Sequence, residues 1–432
     1  MEVHIQRCSE IATSPLTKDP LVLPLTIFDR FASNIHIAVL FAFSPPTPTN
    51  IDLIESLSKT LLLHFPTLGG RLGGTAENPT LVLGDGGGGA LLVEAEVDSN
   101  LDDHMPLCPS PDLVRLHPST VEASHLLQVQ LNRFRCGGLI VGVTAHHRVA
   151  DGQSMSTFYT SWGKMSRGIP VKPVPNTDQS WLKTRFPPKC EFEHWGAEFS
   201  PIQTMSNCNF LLHPSFVDQE STSNIMLHYS HEFINSELKA GLKEKMTTFQ
   251  VLLGHVWRKI IMARALGRSE ETMIRVSVNG RPRLRPPVAG EFIGNLVLNA
   301  YPSADAGELI EGGLERAARI IGDAVKRIDD KYFQSFIDFG EVYKDEKLVP
   351  IYDMYGNYLS PNLEVDSWLG FQFEDVDFGG GGALCAFLPT WVPMDGLVIL
   401  LPSLSEDGGV DVVVALLKEH ANILKTISHS LK

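Results

Sequence analysis

The sequence predicts an α/β (α+β) two-layer domain used twice, and three observations predict it. The chain has 432 residues, too many for one compact core. Apolar runs of strand length are interleaved with apolar residues at helical spacing in both halves. Between the halves, residues 169 to 222 lose that periodicity. There Pro170, Pro173, Pro175, Pro187 and Pro188 read as a long linker over the surface. The expected division is an N-terminal domain over 1–175, a crossover linker over 176–222 and a C-terminal domain over 223–432.

In the first half, Val3 to Ile5 is a short strand, and His36 to Phe43 is a longer one stopped by Ser44-Pro45-Pro46. Asn50 is the expected N-cap of a helix over Ile51 to Leu63. His64 to Leu72 then turn the chain into the next strand. Gly84-Asp85-Gly86-Gly87-Gly88-Gly89 has no Lys-Ser/Thr after it and opens no helix, so it reads as a flexible hairpin tip rather than a phosphate loop. Two β-rich runs from Leu126 to Val143 flank Arg135-Cys136-Gly137-Gly138, a second hairpin. In the second half, Ile225 to Phe233 is a strand. Asn235 or Ser236 caps a short helix through Lys245, and Thr247 or Thr248 caps a stronger one over Phe249 to Leu266. Ile274 to Val278 is a strand and Glu308 to Ile328 an amphipathic helix. Strands follow around Ala386, over Leu397 to Leu400 and over Val410 to Val414, before a last helix from about Ala415 to Ile427.

Composition narrows the function. Apolar content of 43% and a charged fraction of 20% describe an ordinary soluble protein. The net charge of −14 supplies no basic stripe, which argues against nucleic acid as a partner and mildly favours cationic small molecules. Cys8, Cys108, Cys136, Cys190, Cys208 and Cys385 show no Cys-x-x-Cys spacing, as expected of reduced cytosolic thiols without a zinc site. The opening residues lack the apolar core of a signal peptide, and no run approaches the ~18 apolar residues of a membrane span. A cytoplasmic location is expected.

The most informative stretch runs from Gly137 to Ser154. An apolar strand, Leu139 to Ala145, stops at His146-His147, and Asp151-Gly152 precede a helix over Met155 to Met165. A strand, turn and helix hold polar side chains rigidly at the lip of a sheet, and a fixed imidazole there is a ready general base. A lone His in a turn is usually structural, but the cluster makes the catalytic reading the stronger one. A metal would need a third ligand at a useful spacing, and none lies nearby. Asp151 can orient His147 as in a hydrolase triad, or hold the geometry of the motif.

These pieces together resemble the plant BAHD acyl-coenzyme A-dependent acyltransferases. His146-His147-Arg148-Val149-Ala150-Asp151-Gly152 matches the family's His-x-x-x-Asp-Gly motif. Asp377-Phe378-Gly379-Gly380-Gly381 matches its Asp-Phe-Gly-Trp-Gly motif, with Gly380 where the family usually has Trp. The helix from Gln250 to Arg264, Asn279-Gly280-Arg281 with Pro286-Pro287, and Gly294-Asn295 also look like family landmarks. A kinase reading of Asp377-Phe378-Gly379 lacks the catalytic loop and the strand lysine that it needs.

The resemblance implies the chloramphenicol acetyltransferase-like fold repeated twice, with residues from about 365 to 395 joining the N-terminal domain and a channel between the domains. His147 would lie in that channel as general base. Asp377 is grouped with it as the second candidate catalytic residue, with a structural role in the loop lining the channel. Asp151, Gly152, Arg281, Phe378 and Gly379 would hold the motifs, Asp151 by pairing with Arg281. The Gly-rich second motif looks like the branch that acylates amines such as agmatine, putrescine or tryptamine with hydroxycinnamoyl groups. Shikimate- and quinate-using relatives carry an Arg two residues after a Ser-Trp pair, and here Gly370 follows Ser367-Trp368-Leu369. Glu374 and Asp375 bring negative charge close to the second motif; on a strand only one would face the channel, and Glu374 is the candidate for the acceptor. His36 is a second candidate for lining the channel. Ser154 and Cys136 are the nucleophiles a covalent path would use, and direct transfer is expected instead. The alternatives are an O-acyltransferase using an alcohol such as shikimate or quinate, and a binding relative with weak catalysis. The expected partners are an acyl-coenzyme A and a small amine, with no metal or redox cofactor, no nucleic acid and no membrane. The coenzyme A thioester is a co-substrate, and the chain is expected to act as a monomer.

Overall fold

The computed structural model describes residues 1–13, 19–84, 88–121, 123–200, 218–351 and 359–431. In chain order the first half holds β1 (Val3–Ala12), β2 (Leu21–Pro24), α1 (Ile27–Phe31), β3 (His36–Phe43), α2 (Asn50–His64), β4 (Arg71–Gly74), β5 (Pro79–Leu83), β6 (Gly89–Val97), β7 (Leu127–Phe134), β8 (Leu139–His146) and α3 (Gly152–Ser166). The linker adds β9 (Phe199–Ser200). The second half holds β10 (Thr222–Tyr229), α4 (Thr248–Ala263), β11 (Glu271–Asn279), β12 (Val297–Ala300), β13 (Ser303–Asp305), α5 (Ala306–Glu311), α6 (Gly313–Arg327) and α7 (Asp330–Val342). It continues through β14 (Val349–Pro350), β15 (Leu363–Ser367), β16 (Leu384–Pro389), β17 (Leu397–Pro402), β18 (Val410–Leu417) and α8 (Lys418–Ile427).

The first sheet has the order β1-β6-β7-β8-β3-β16. Its central strand β8 is buried at every position, because both faces of the sheet are covered. On one face Val141 and Val143 pack with Leu53, Leu57 and Leu61 of α2 and with Phe158 and Trp162 of α3. On the other, Ile140 joins Leu40, Leu101, Leu107, Leu113 and Leu116. The sixth strand is borrowed: β16, from the far end of the chain, pairs with β3.

The second sheet has the order β10-β18-β17-β15-β11-β12, with β13 also paired to β11. One face is covered by helices: Ile274, Val276, Val365, Val398, Val412 and Val414 share a core with Val251, Trp257 and Ile260 of α4 and Ile321 of α6. The other face turns toward the first half, where Leu397, Ile399, Leu401, Val413 and Ala415 join the first half's core. Among the described residues, no helix is long and apolar enough to cross a membrane.

Several boundaries differ from expectation for identifiable reasons. The cap of α2 is Thr49, which forms a reciprocal pair with Asp52, and Asn50 is already helical. Gly84 to Gly89 do not close a hairpin, since β5 pairs with β2 and β4 while β6 pairs with β1 and β7; residues 85–87 lie outside the described residues. The strand expected through Phe233 ends at Tyr229. The short helix expected through Lys245 stops at Leu238, after one π-turn in which the Lys239 N–H reaches back to the Ile234 carbonyl. The helix expected over Glu308 to Ile328 is broken at Gly313, whose φ of 71° leaves the helical region. A helix that the periodicity did not reveal, α7, is started by Asp329, which accepts from the Lys331 and Tyr332 N–H groups. β15 stays in the second sheet, so the part of 365–395 that joins the first sheet is β16. Residues 201–217 of the linker, including Cys208, lie outside the described residues.

Candidate active site

β8 delivers His146 and His147 to the edge of the first sheet, where the chain tightens into a single 3-10 turn, His147–Val149. The first of the two rings is locked into that turn. The Arg148 N–H donates to His146 Nδ1 at 3.2 Å, and the His146 ring stands edge-on to His36 at 4.9 Å between centroids. Burial, reinforced by the nearby His36, Arg148 and His147, pushes the His146 imidazole down to about 3, so it is neutral across the working range. His36 is half-buried, with Nε2 2.8 Å from the His125 carbonyl. Burial lowers its pKa against the pull of that hydrogen bond.

His147 is held differently. Its N–H donates to the Ile35 carbonyl at 2.9 Å, and its own carbonyl accepts from Asn295 Nδ2 at 2.9 Å. Asn295 in turn donates from Nδ2 to Asp29 Oδ1 at 2.9 Å, and the other Asp29 oxygen accepts from Thr26. The main chain of His147 is thus gripped from both halves of the protein while its ring is left out of the grip. Nδ1 is buried without a hydrogen-bond partner among the described residues. Burial pushes the Asp29 carboxyl above its ordinary range, against the hydrogen bonds from Asn295 and Thr26. Sequence reasoning missed this brace. Its only trace is the Thr26-x-x-Asp29 spacing of a capping box, which closes here as expected of that pattern.

Asp151 turns away from His147. It caps α3 through the Ser154 N–H (2.9 Å), takes the Leu296 N–H (3.0 Å), and receives both terminal nitrogens of Arg281 at 2.7 and 3.1 Å. Both side chains are almost fully buried. Burial alone would raise the Asp151 pKa, but Arg281 and the two backbone donors outweigh it and hold the carboxyl below its usual range. Ser154 completes the knot: its hydroxyl donates to the Gly294 carbonyl at 2.9 Å and accepts from the Gly294 N–H and from Arg281. That hydroxyl is fully occupied, and Cys136 is in the turn before β8, roughly 26 Å along the strand from His147. Neither is placed to act as a nucleophile at the imidazole. At Gly152 a Cβ would lie 2.5 Å from the Phe371 ring, so the ring seats directly on the start of α3.

The second motif packs against the other end of α3. Asp377 pairs with Arg167 at 2.8 Å, accepts from the Gly379 N–H at 2.8 Å, and presses its main chain on Gly163. Gly163 is eleven residues along the helix from Gly152, about 16 Å at the helical rise. The expected catalytic grouping of Asp377 with His147 is therefore corrected: the two sit at opposite ends of one helix. Phe378 is buried against Trp162 and Phe43. Gly379, Gly380 and Gly381 all have φ between 85° and 97°, a region that other residues avoid. At Gly380 a Cβ would lie 2.7 Å from the Pro48 nitrogen, on a loop that Arg133 fixes through Thr47 Oγ1 and the Pro48 carbonyl. Restoring the Trp usual in the resembled family is expected to destabilise the fold by more than ~1 kcal/mol, read as a lowered thermal midpoint of Gly380→Trp.

Glu374 is exposed on a 3-10 turn, Phe373–Asp375, and not on a strand. The alternation that singled it out over Asp375 does not operate there, because the apolar anchor Phe373 fixes the turn against Phe41, Tyr159 and Phe387. Gly370 is exposed, and a side chain there would enter open space.

Comparison with known proteins bears on this arrangement. A family model described as Transferase family matches residues 1–429. Agmatine hydroxycinnamoyltransferase 1 of Oryza sativa subsp. japonica is 39% identical over 435 residues, spanning 98% of this chain and 96% of its own. Agmatine coumaroyltransferase-1 of Hordeum vulgare is 39% identical over 419 residues, spanning 95% and 94%. Among solved structures, vinorine synthase has the same fold, with a TM-score of 0.73 over 100% of this chain and 98% of that one at 21% identity.

Proposed function

Since the chain belongs to the BAHD acyltransferases, the Transferase family matched across residues 1–429, we propose that it moves a hydroxycinnamoyl group from coenzyme A to a small amine. The observation that carries the reading is the hold on His147: main chain clamped by Ile35 and Asn295, ring free, and the motif's carboxylate spent on Arg281. A base fixed in that way needs no orienting carboxylate of the hydrolase kind. Gly370 leaves room where carboxylate-using relatives place an Arg, which supports an acceptor without a carboxylate. The two curated relatives named above are called agmatine acyltransferases, which supports an amine acceptor.

In the reaction, the buried Nδ1 of His147 keeps the ring proton and Nε2 offers its lone pair. The acceptor arrives as an ammonium and must release one proton to solvent before it can attack. Its nitrogen then adds to the thioester carbonyl carbon while Nε2 takes the second proton. The C–S bond breaks, the amide forms, and the imidazolium returns its proton to the departing thiolate. Bringing donor and acceptor together at one fixed base supplies most of the advantage by proximity. Asp377 is assigned to holding the glycine loop on α3. His36 is assigned to seating the His146 ring, and Glu374 to the outer surface of the acceptor side.

Thiol release from coumaroyl-coenzyme A, with product identified by mass, tests the proposal against agmatine, putrescine, tryptamine and shikimate. Amide products with one or more of the amines are expected. Turnover with shikimate alone would overturn the amine reading.

A further inference from the structure

Charged and titratable groups face the His147 turn from several elements. His146 and Arg148 belong to the turn itself, and His36 stands against His146 from β3. Asp151, at the start of α3, is matched by Arg281, so that pair carries no net charge. From the remaining side α1 lies directly against the turn and brings Asp29. Arg30, the next residue, points away, its guanidinium donating to the Lys344 and Glu346 carbonyls.

Asp29 is buried, and its contacts among the described residues include no cation. Oδ2 accepts the Thr26 N–H at 2.9 Å and the Thr26 hydroxyl at 2.7 Å. Oδ1 accepts Asn295 Nδ2 at 2.9 Å and the Asn295 N–H at 3.3 Å. Four donors converging on two oxygens is the arrangement of an ionised carboxylate, held against the burial that raises its pKa. Asn295 spends one amide nitrogen on both Asp29 and the His147 carbonyl, while its own Oδ1 is buried with no partner among the described residues. Turning the amide over would set that oxygen against two acceptors, so the bridge is fixed in this sense.

Two hydrogen bonds from one amide nitrogen set Asp29 Oδ1 and the His147 carbonyl oxygen about 5 Å apart. The imidazole lies one side chain beyond, about 9 Å from the carboxylate. At an effective dielectric of about 20, a unit negative charge at that range favours the protonated ring by roughly tenfold.

We infer that Asp29 is a positioning residue whose negative charge, acting through the Asn295 bridge, stabilises the His147 imidazolium formed as the acceptor attacks. It takes the electrostatic part that the motif's own carboxylate, spent on Arg281, does not play. The inference rests on the assignment of His147 as the base. A carboxylate that acts from the main-chain side leaves both faces of the ring to the substrates, unlike one bonded to the ring itself.

The test follows the His147 ring by NMR from about pH 5 to 9, its signal assigned by its absence in His147→Gln. In parallel, kcat and KM are measured with coumaroyl-coenzyme A and whichever of agmatine, putrescine and tryptamine the wild type acylates fastest. Asp29→Asn keeps the shape and removes the charge; Asp29→Ser replaces it if the asparagine variant does not fold. Losing a negative charge disfavours the imidazolium, so the titration is expected to move to lower pH by about one pH unit. The weaker base should lower kcat by about 3- to 10-fold, with both KM values unchanged. Asp29→Glu, which keeps the charge, should restore most of both. Phe28→Leu loosens the same helix at a buried position and should lower the thermal midpoint without moving the titration. A titration in Asp29→Asn within about 0.2 pH unit of the wild type, or an equal displacement in Phe28→Leu, would overturn the inference. So would a displaced titration with undiminished kcat. Full activity in His147→Ala would instead remove the assignment on which it rests.

Discussion

The His147→Ala variant is expected to keep its fold and lose about 10²- to 10⁴-fold in kcat, the usual contribution of a positioned general base. The buried Nδ1 of the ring has no hydrogen-bond partner among the described residues, so losing the side chain should cost little stability. The main-chain contacts to Ile35 and Asn295 do not depend on the side chain. A thermal midpoint near the parent's, together with the loss of turnover, separates this outcome from unfolding. His147→Gln should fare no better, since it keeps polarity and size but offers no base. Full activity in either variant would end the assignment.

Arg281→Met is expected to be the most destabilising single change, by about 3–5 kcal/mol, because it strands the buried carboxylate of Asp151. The double variant Asp151→Asn, Arg281→Met should recover part of that loss, since no unpaired charge remains. Urea midpoints of the wild type, Arg281→Met, Asp151→Asn and the double variant measure the coupling. The pH dependence has a definite sign. The folded Asp151 carboxyl titrates below its ordinary value of 3.8, so the pair contributes fully above that value. Its contribution is lost as pH falls through the depressed folded value. Wild-type stability should therefore owe nothing to this pair's titration between pH 5 and 8, and acid destabilisation should shrink in the double variant. Activity should fall with Arg281→Met even where the protein is folded, because Asp151, Ser154 and Gly294 together set the turn that presents His147.

The parts of this architecture written in local pattern were the parts legible in the sequence. The apolar run into His146-His147 is β8, and its abrupt polar stop marks the sheet edge where the imidazole sits. The Thr247 cap of α4 was readable because Gln250 completes it three residues on. What depended on distant partners was not readable. Nothing in residues 84–89 says that the strands on either side belong to different sheets. Nothing local to Glu374 says that its segment is a turn rather than a strand, because the choice is made by the packing of Phe373. Asp29 and Asn295 are 266 positions apart, and only folding shows that together they grip the carbonyl of His147. The glycines at 379–381 read as a weakened motif, yet their φ values and the fixed loop at Thr47 and Pro48 make glycine the residue that fits.

Because β16 completes the first sheet from a point nearly four hundred residues into the chain, the two halves are not separable modules. A hybrid built by joining the front of one relative to the back of another within the linker would inherit a foreign edge strand beside β3. Exchange of specificity between relatives should succeed only when the segment around 384–389 travels with the front half, which makes a three-piece splice the natural unit of recombination.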